Sequence, residues 1–365
     1  MCLIDYDIDW VDTLPSVKAD GFLNEMDNST FEHQSVTNHT AFDNTAIEAL
    51  KPVVFHSWYT GVLVSGLFIL AAGVPGNLIT ILAYFKYEQL HSPTNILICS
   101  QSIGDLFTCM TGPLYTILNY TEVGQAVASS RKYLCLVSLV LINTALQSSI
   151  TNILALSTER FIAVYFSLHY YNWVTETNVK RAVVVIWTVV ISINCIPIFA
   201  WNIWTPGLPC TSVTVYPQIF FQGYFIIPSL ICMLICAVEN SLIALMAVQK
   251  QRSITAAVVV QNADQQTEEV RSGNQFKVTK MLLLISGCFY ATWLPWIIFN
   301  SIFFGLPSSW KKYGVPTWIL VAFEYSKVIL VANAIANPFI YGWKNLLFRN
   351  AYYKLLGIKR NPNEL

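Results

Sequence analysis

Charge is scarce in this chain. Only 12% of its 365 residues are Asp, Glu, Lys or Arg, while 55% are hydrophobic. Soluble domains carry about 25% charged residues, so the deficit points to a bilayer rather than water as the main solvent. Between Arg181 and Glu239 there is no charged residue at all. A cleavable leader is not expected: Met1-Cys2-Leu3-Ile4-Asp5 offers neither a basic region nor an apolar one, so a later membrane helix must act as the signal. The nine cysteines, at 2, 99, 109, 135, 195, 210, 232, 236 and 288, form no CxxC and no Cys/His cluster of metal spacing. No HExxH and no intramembrane Ser-His constellation is present, so an enzyme is not expected. From Lys344 to Leu365 there is no Ser, Thr or Cys, so no palmitoyl anchor and little phospho-dependent arrestin binding by the tail are expected.

What the chain does have is long apolar runs. A hydrocarbon core of ~30 Å takes ~20 helical residues to cross, and seven runs are long enough: roughly 57–85, 93–118, 132–165, 181–203, 217–248, 277–304 and 314–343. Alternating segments of ~10 residues, the mark of a membrane β-barrel, are absent. The expected fold is therefore all-α and integral to the membrane, a bundle of seven transmembrane helices. Asn345–Leu356 is short and amphipathic and suits an eighth helix lying on the membrane surface.

An odd number of spans puts the two ends on opposite sides, and Lys and Arg decide which. One side holds 14 bases, counting Arg160 at the end of span three; the other holds six, Lys18, Lys51, Arg131, Lys132, Lys311 and Lys312. The N-terminus is thus expected outside, and the plasma membrane is the expected location. Residues 1–56 read as an acidic, disordered outer tail. Ten of the chain's 21 acids lie there against one base before residue 50, too little apolar surface for a core. Two sequons in it, at Asn28 and Asn38, are candidate glycosylation sites. The remaining division is 57–343 for the seven spans, 344–357 for the surface helix and 358–365 for a short inner tail. The loop at about 249–276 is polar and reads as mobile, with helical extensions of spans five and six.

Polar groups inside the spans are costly in lipid and carry the information. In order they are Gly76-Asn77; Asp105 within Ser-Ile-Gly-Asp-Leu; Cys135, followed 25 residues later by Arg160 in Glu159-Arg160-Phe161; Trp187 and Pro197; Pro228; Trp293-Leu294-Pro295; and Asn337-Pro338-Phe339-Ile340-Tyr341. Together, over about 57–357, they resemble the rhodopsin-like G-protein-coupled receptors.

The resemblance implies a set of roles. Cys135 would bond to Cys210 of the second outer loop. Glu159 would hold Arg160 at rest, and Arg160 would meet a heterotrimeric G protein when span six swings outward. Leu168 would plug into the G protein, and Tyr341 belongs to the same coupling machinery. Asp105, Ser149, Asn333 and Asn337 match a sodium pocket, an oxygen set suited to a hard cation; no other cofactor is expected. Trp293 would form the floor of the ligand cavity, with Pro295 kinking span six. Departures are Cys236 for a common tyrosine, Gln275 for a common acid, Ser167 for a common proline and Ala334 for a frequent serine.

Ile142 stands where amine receptors place an Asp, and Val331 where opsins place a lysine, so neither ligand class is expected. Tyr171-Asn172-Trp173-Val174-Thr175 and Ala200-Trp201-Asn202 are similar to stretches of the adenosine receptors. Asn300 and Gln147 match pocket amides of that branch, able to donate to and accept from a purine edge. Ser212, Val213, Leu330 and Val331 depart from it. The candidate ligand residues are Ile142, Asn143, Leu146, Gln147, Trp293, Trp296, Ile297, Asn300, Glu324 and Lys327. The expected ligand is an extracellular small molecule, adenosine-like in one reading, with a short peptide or anionic ligand as the alternative. Expected partners are a G protein, membrane lipid, and arrestin through the third inner loop at Ser253, Thr255, Thr267 or Ser272; no nucleic acid is expected. A seven-helix transporter or channel is the non-receptor alternative, but internal repeats and paired broken helices are not seen.

Overall fold

A computed structural model describes residues 57–258, 266–304 and 315–358. Within the helices it describes no side chains at 250–258, 266–280 or 303–304. Asn28, Asn38 and the tail beyond Ile358 therefore lie outside what is described, as do the side chains of the arrestin candidates of the third loop.

Seven long helices make the bundle: span one (Trp58–Lys86), two (Pro93–Tyr120), three (Lys132–Tyr165), four (Glu176–Phe199), five (Gln218–Gln249, continuing as helix to Val258), six (Gln266–Phe304) and seven (Thr317–Lys344). Helix Leu346–Leu355 follows, its first turn closed by the Asn345 carboxamide accepting from Leu347 N and Phe348 N. Caps set the other starts. Ser92 accepts from Asn95 N with Pro93 in the first turn, and Thr175 accepts from Asn178 N. The Thr175 cap explains why span four begins before its apolar run: Glu176 and Lys180 form a wet first turn, paired at 3.2 Å. Spans five and six run into the third loop as helices, ending at Val258 and beginning at Gln266. Among the short helices not anticipated are Glu122–Ser130 between spans two and three and Ser167–Trp173 after span three.

Among the described residues, six of the seven helices are long and apolar enough to cross a membrane; Pro93–Tyr120 is long enough but too polar by that measure. Its polar groups face inward. Asn95, Ser100, Gln101, Ser102, Asp105 and Thr108 are all buried, and it packs on spans one, three, four and seven. Span one shows the complementary arrangement, turning Phe68, Leu78, Leu82 and Phe85 outward. Apolar outside and polar inside is the pattern a helix bundle takes when its solvent is hydrocarbon.

Two large apolar cores stack along the bundle, beside a small third cluster of Val62, Tyr120 and Val328. The outer one gathers Cys135, Leu139, Phe225, Phe289, Trp293, Trp296 and Leu330. The inner one gathers Ala83, Leu90, Met281, Ile285, Tyr341 and Phe348. The Gly76-Asn77 motif lets spans one and seven meet closely. A Cβ on Gly76 would lie 3.0 Å from Pro338, and Asn77 Nδ2 donates to Ala334 O at 2.8 Å. In span five the backbone widens into a π turn at Phe221–Ile226, just before Pro228. Pro228 lacks an N–H and its ring crowds the carbonyl four residues back, at Tyr224.

Candidate functional site

Three polar sites lie along the bundle axis. The outermost begins with the Cys135–Cys210 disulfide, Cα–Cα 5.7 Å, which ties span three to the second outer loop. Thr211 caps the one-turn helix Ser212–Val215 that follows, and Ile203 N donates to Val215 O at 2.9 Å. The loop is thereby folded onto the bundle. Asn143 donates to Ser212 Oγ at 3.1 Å and to Tyr216 Oη at 3.5 Å.

The candidate ligand residues fall into two groups. Ile142, Asn143, Leu146 and Gln147 share one face of span three, while Trp293, Trp296, Ile297 and Asn300 follow one face of span six. Trp293, Trp296 and Ile297 lie in the outer core, with Leu146 packed against it. Trp293 stacks obliquely on Phe289 (5.2 Å) and edge-on to Trp296 (6.2 Å). Asn300 Nδ2 turns back to Trp296 O at 2.8 Å, whereas the buried Gln147 Oε1 has no hydrogen-bond partner among the described residues.

Glu324 and Lys327 form the second group, against spans one and two. Lys327 Nζ reaches both Glu324 oxygens, at 2.8 and 2.7 Å, and lies 4.5 Å from the Phe323 ring centre. The Tyr120 hydroxyl also donates to Glu324, which links span two to span seven. Sequence reasoning missed Tyr120, because its partner is 204 residues away.

At mid-depth, Asp105 accepts from Asn337 Nδ2 (2.8 Å), Gln101 Nε2 (3.0 Å) and Ser149 Oγ (3.4 Å). Gln101 also donates to Ser149 at 2.8 Å. Three of the four expected sodium ligands are therefore joined. No described hydrogen bond joins Asn333, though it too is buried. Gln101 is the unforeseen member; it lies one helical turn before Asp105 on the same face. Beside it, Trp187 Nε1 donates to Ser100 Oγ (3.1 Å) and Ser100 to Asn152 (2.8 Å), joining spans two, three and four.

At the inner end, Arg160 pairs with Glu159 and donates to Thr94 of span two. Tyr170, on the short helix Ser167–Trp173, donates to Glu159 at 2.5 Å. Burial, then the Glu159 carboxylate, pushes the Tyr170 phenol above the usual tyrosine range, so it remains a donor. Thr94 and Tyr170 were also missed; only their position beside Glu159 in space reveals them. Leu168 is 90% exposed on that same short helix. Tyr341 is fully buried beside Phe348, ring centres 5.9 Å apart.

A bundle of seven helices with a disulfide-tethered outer loop, a buried mid-membrane carboxylate and an inner Glu-Arg pair defines a class of membrane receptor. The family model "7 transmembrane receptor (rhodopsin family)" matches residues 76–341. The chain belongs to that family, and it is a receptor rather than an enzyme. Among its relatives are neuromedin-U receptor 1 of Rattus norvegicus, 24% identical over 81% of this chain and 73% of the relative. Adenosine receptor A2b of Homo sapiens is 24% identical over 80% of this chain and 88% of its own length. Adenosine receptor A2a of Equus caballus is 26% identical, over 77% and 68%.

Proposed function

We propose that this receptor sits in the plasma membrane with its N-terminus outside, binds a small extracellular ligand between spans three and six, and activates a heterotrimeric G protein at its inner face. The observation that carries this is the state of Arg160. It is only 14% exposed and is engaged by groups of spans two and three, so release of those bonds is what frees the guanidinium for a partner. Leu168 supplies an exposed apolar contact on the same face. Arrestin engages the third loop, and lipid contacts the outward apolar faces. The direct test is a ligand-library screen with G-protein dissociation as the readout, adenosine included. An adenosine-like ligand is favoured by Asn300 and Gln147. A response confined to unrelated ligands would retain the receptor reading and reject the purine one.

A sodium ion fits the Asp105 site. Asp105 and Ser149 supply oxygens, and the buried carbonyl oxygens of Gln101, Asn333 and Asn337 have no hydrogen-bond partner among the described residues. Such an all-oxygen set suits a hard cation, which would neutralise the carboxylate. In the expected result, Asp105→Asn removes the difference in agonist affinity between sodium and a large organic cation. Wild type that shows no such difference would reject the site.

The anionic-ligand reading rests on Lys327 at the outer mouth. Replacing Lys327 by Met should lower potency for an anionic ligand tenfold or more, on the order of 1.4 kcal/mol. Lys327→Arg should retain part of it, with Glu324→Gln as control at matched surface expression. Equal potencies throughout would leave only an ion pair within span seven.

A further inference from the structure

Asn240, on the inner half of span five, faces both neighbours at once. Its Nδ2 lies 2.9 Å from Ser157 Oγ of span three, 3.1 Å from Ser286 Oγ of span six and 2.8 Å from Cys236 O of its own helix. All four residues are buried. Tyr290 Oη of span six also donates to Met233 O of span five at 2.8 Å, nearer the Pro295 kink, but among the described residues Asn240 is the one side chain bonded to both span three and span six. Arg160, by contrast, is engaged from spans two and three.

We infer that Asn240 is a positioning residue for signal transfer: its carboxamide clasps span six to spans three and five in the resting receptor. This rests on the reading of the chain as a G-protein activator. Three features of the clasp suit it to be opened. An amide nitrogen carries two hydrogens, yet three acceptors lie within reach, so one bond is shared. When Ser286 departs, the amide keeps Cys236 O and Ser157 and leaves no buried N–H unpaired. The Ser286 hydroxyl, once free, can turn to the carbonyl of its own helix one turn back. Ser286 also lies nine residues before Pro295, about 14 Å along the helix. A swing at the Pro295 kink therefore moves it, while Asn240 stays with span five. Opening the clasp is cheap, so it sets the balance between resting and active states more than it holds the fold.

The test uses the full-length receptor at matched surface expression, with ligand-independent signalling read through dissociation sensors for each G-protein class. Ser286→Ala and Asn240→Leu are expected to raise basal signalling about fivefold, the effect of removing one ordinary hydrogen bond from one side of a two-state balance. Ser286→Thr, which keeps the hydroxyl, should stay at wild type. The double variant should signal no more than Asn240→Leu alone, since both changes open one clasp. A second readout needs no G protein: amide hydrogen exchange over residues 281–292 of the purified receptor in nanodiscs, faster in Ser286→Ala than in wild type. Basal signalling and exchange both at wild-type level in Ser286→Ala would overturn the inference, as would additive effects in the double variant. Should no sensor respond for any form, wild type included, the activator reading fails and exchange alone decides the clasp.

Discussion

Arg160→Ala is expected to abolish G-protein activation while surface expression and ligand binding persist. The side chain is held by Glu159 and Thr94, with Tyr170 gripping Glu159 from the loop. Alanine removes the cation that a G protein would meet. The groups left behind can pair with one another, because Thr94 Oγ1 already donates to Glu159 at 3.2 Å. The fold therefore loses little, whereas a buried carboxylate left without any partner would cost several kcal/mol. Thr94→Val separates holding from coupling: it should loosen the resting grip without removing the cation, so signalling is retained or raised. Undiminished signalling by Arg160→Ala at equal expression would remove Arg160 from the coupling role.

The second large effect is expected at the outer end. Cys210→Ala opens a covalent link across 75 residues of chain. In the chain-entropy picture a loop of that size is constrained by about 4 kcal/mol. Here that figure is an upper bound, because the bilayer already keeps spans three and four inserted. The loss falls on the segment Trp201–Tyr216, whose ties to the bundle include Asn143–Ser212 and Asn143–Tyr216. Thermal unfolding should drop by several degrees and ligand affinity by more than tenfold, with Cys135→Ala giving the same result and the double variant no further loss. Ligand affinity within a factor of two of wild type would show that the outer loop holds its place without the bond.

The long helices were readable in the sequence because lipid imposes a length on any crossing segment and forbids unpaired backbone. Positions such as Asp105, Arg160 and the Cys135–Cys210 pair were readable because they stand in recurring motifs. The partners of these residues were not. Gln101, Tyr170, Tyr120 and Asn240 are ordinary polar residues in the sequence, and each acquires a role only from a group on another element, up to 204 residues away in the case of Tyr120 and Glu324. Nothing in local periodicity encodes such a pairing, since helix packing decides which faces meet. The start of span four shows the same limit on a smaller scale, where the Thr175 cap, not the apolar run, sets the boundary.

The polarity of Pro93–Tyr120 bears on how the chain is made. An Asp at the centre of a membrane helix costs about 2.5–3.5 kcal/mol on the scale that describes insertion by the translocon. Span two also brings Gln101, which donates to Ser149 of span three, while Asp105 accepts from Asn337 of span seven. When it enters the bilayer, spans three and seven have not yet been inserted beside it. It must therefore enter the bilayer as a hairpin against span one, with which it packs extensively, and wait there with its polar face unmatched. Substitutions that weaken the pairing of spans one and two are therefore expected to reduce yield before they alter signalling.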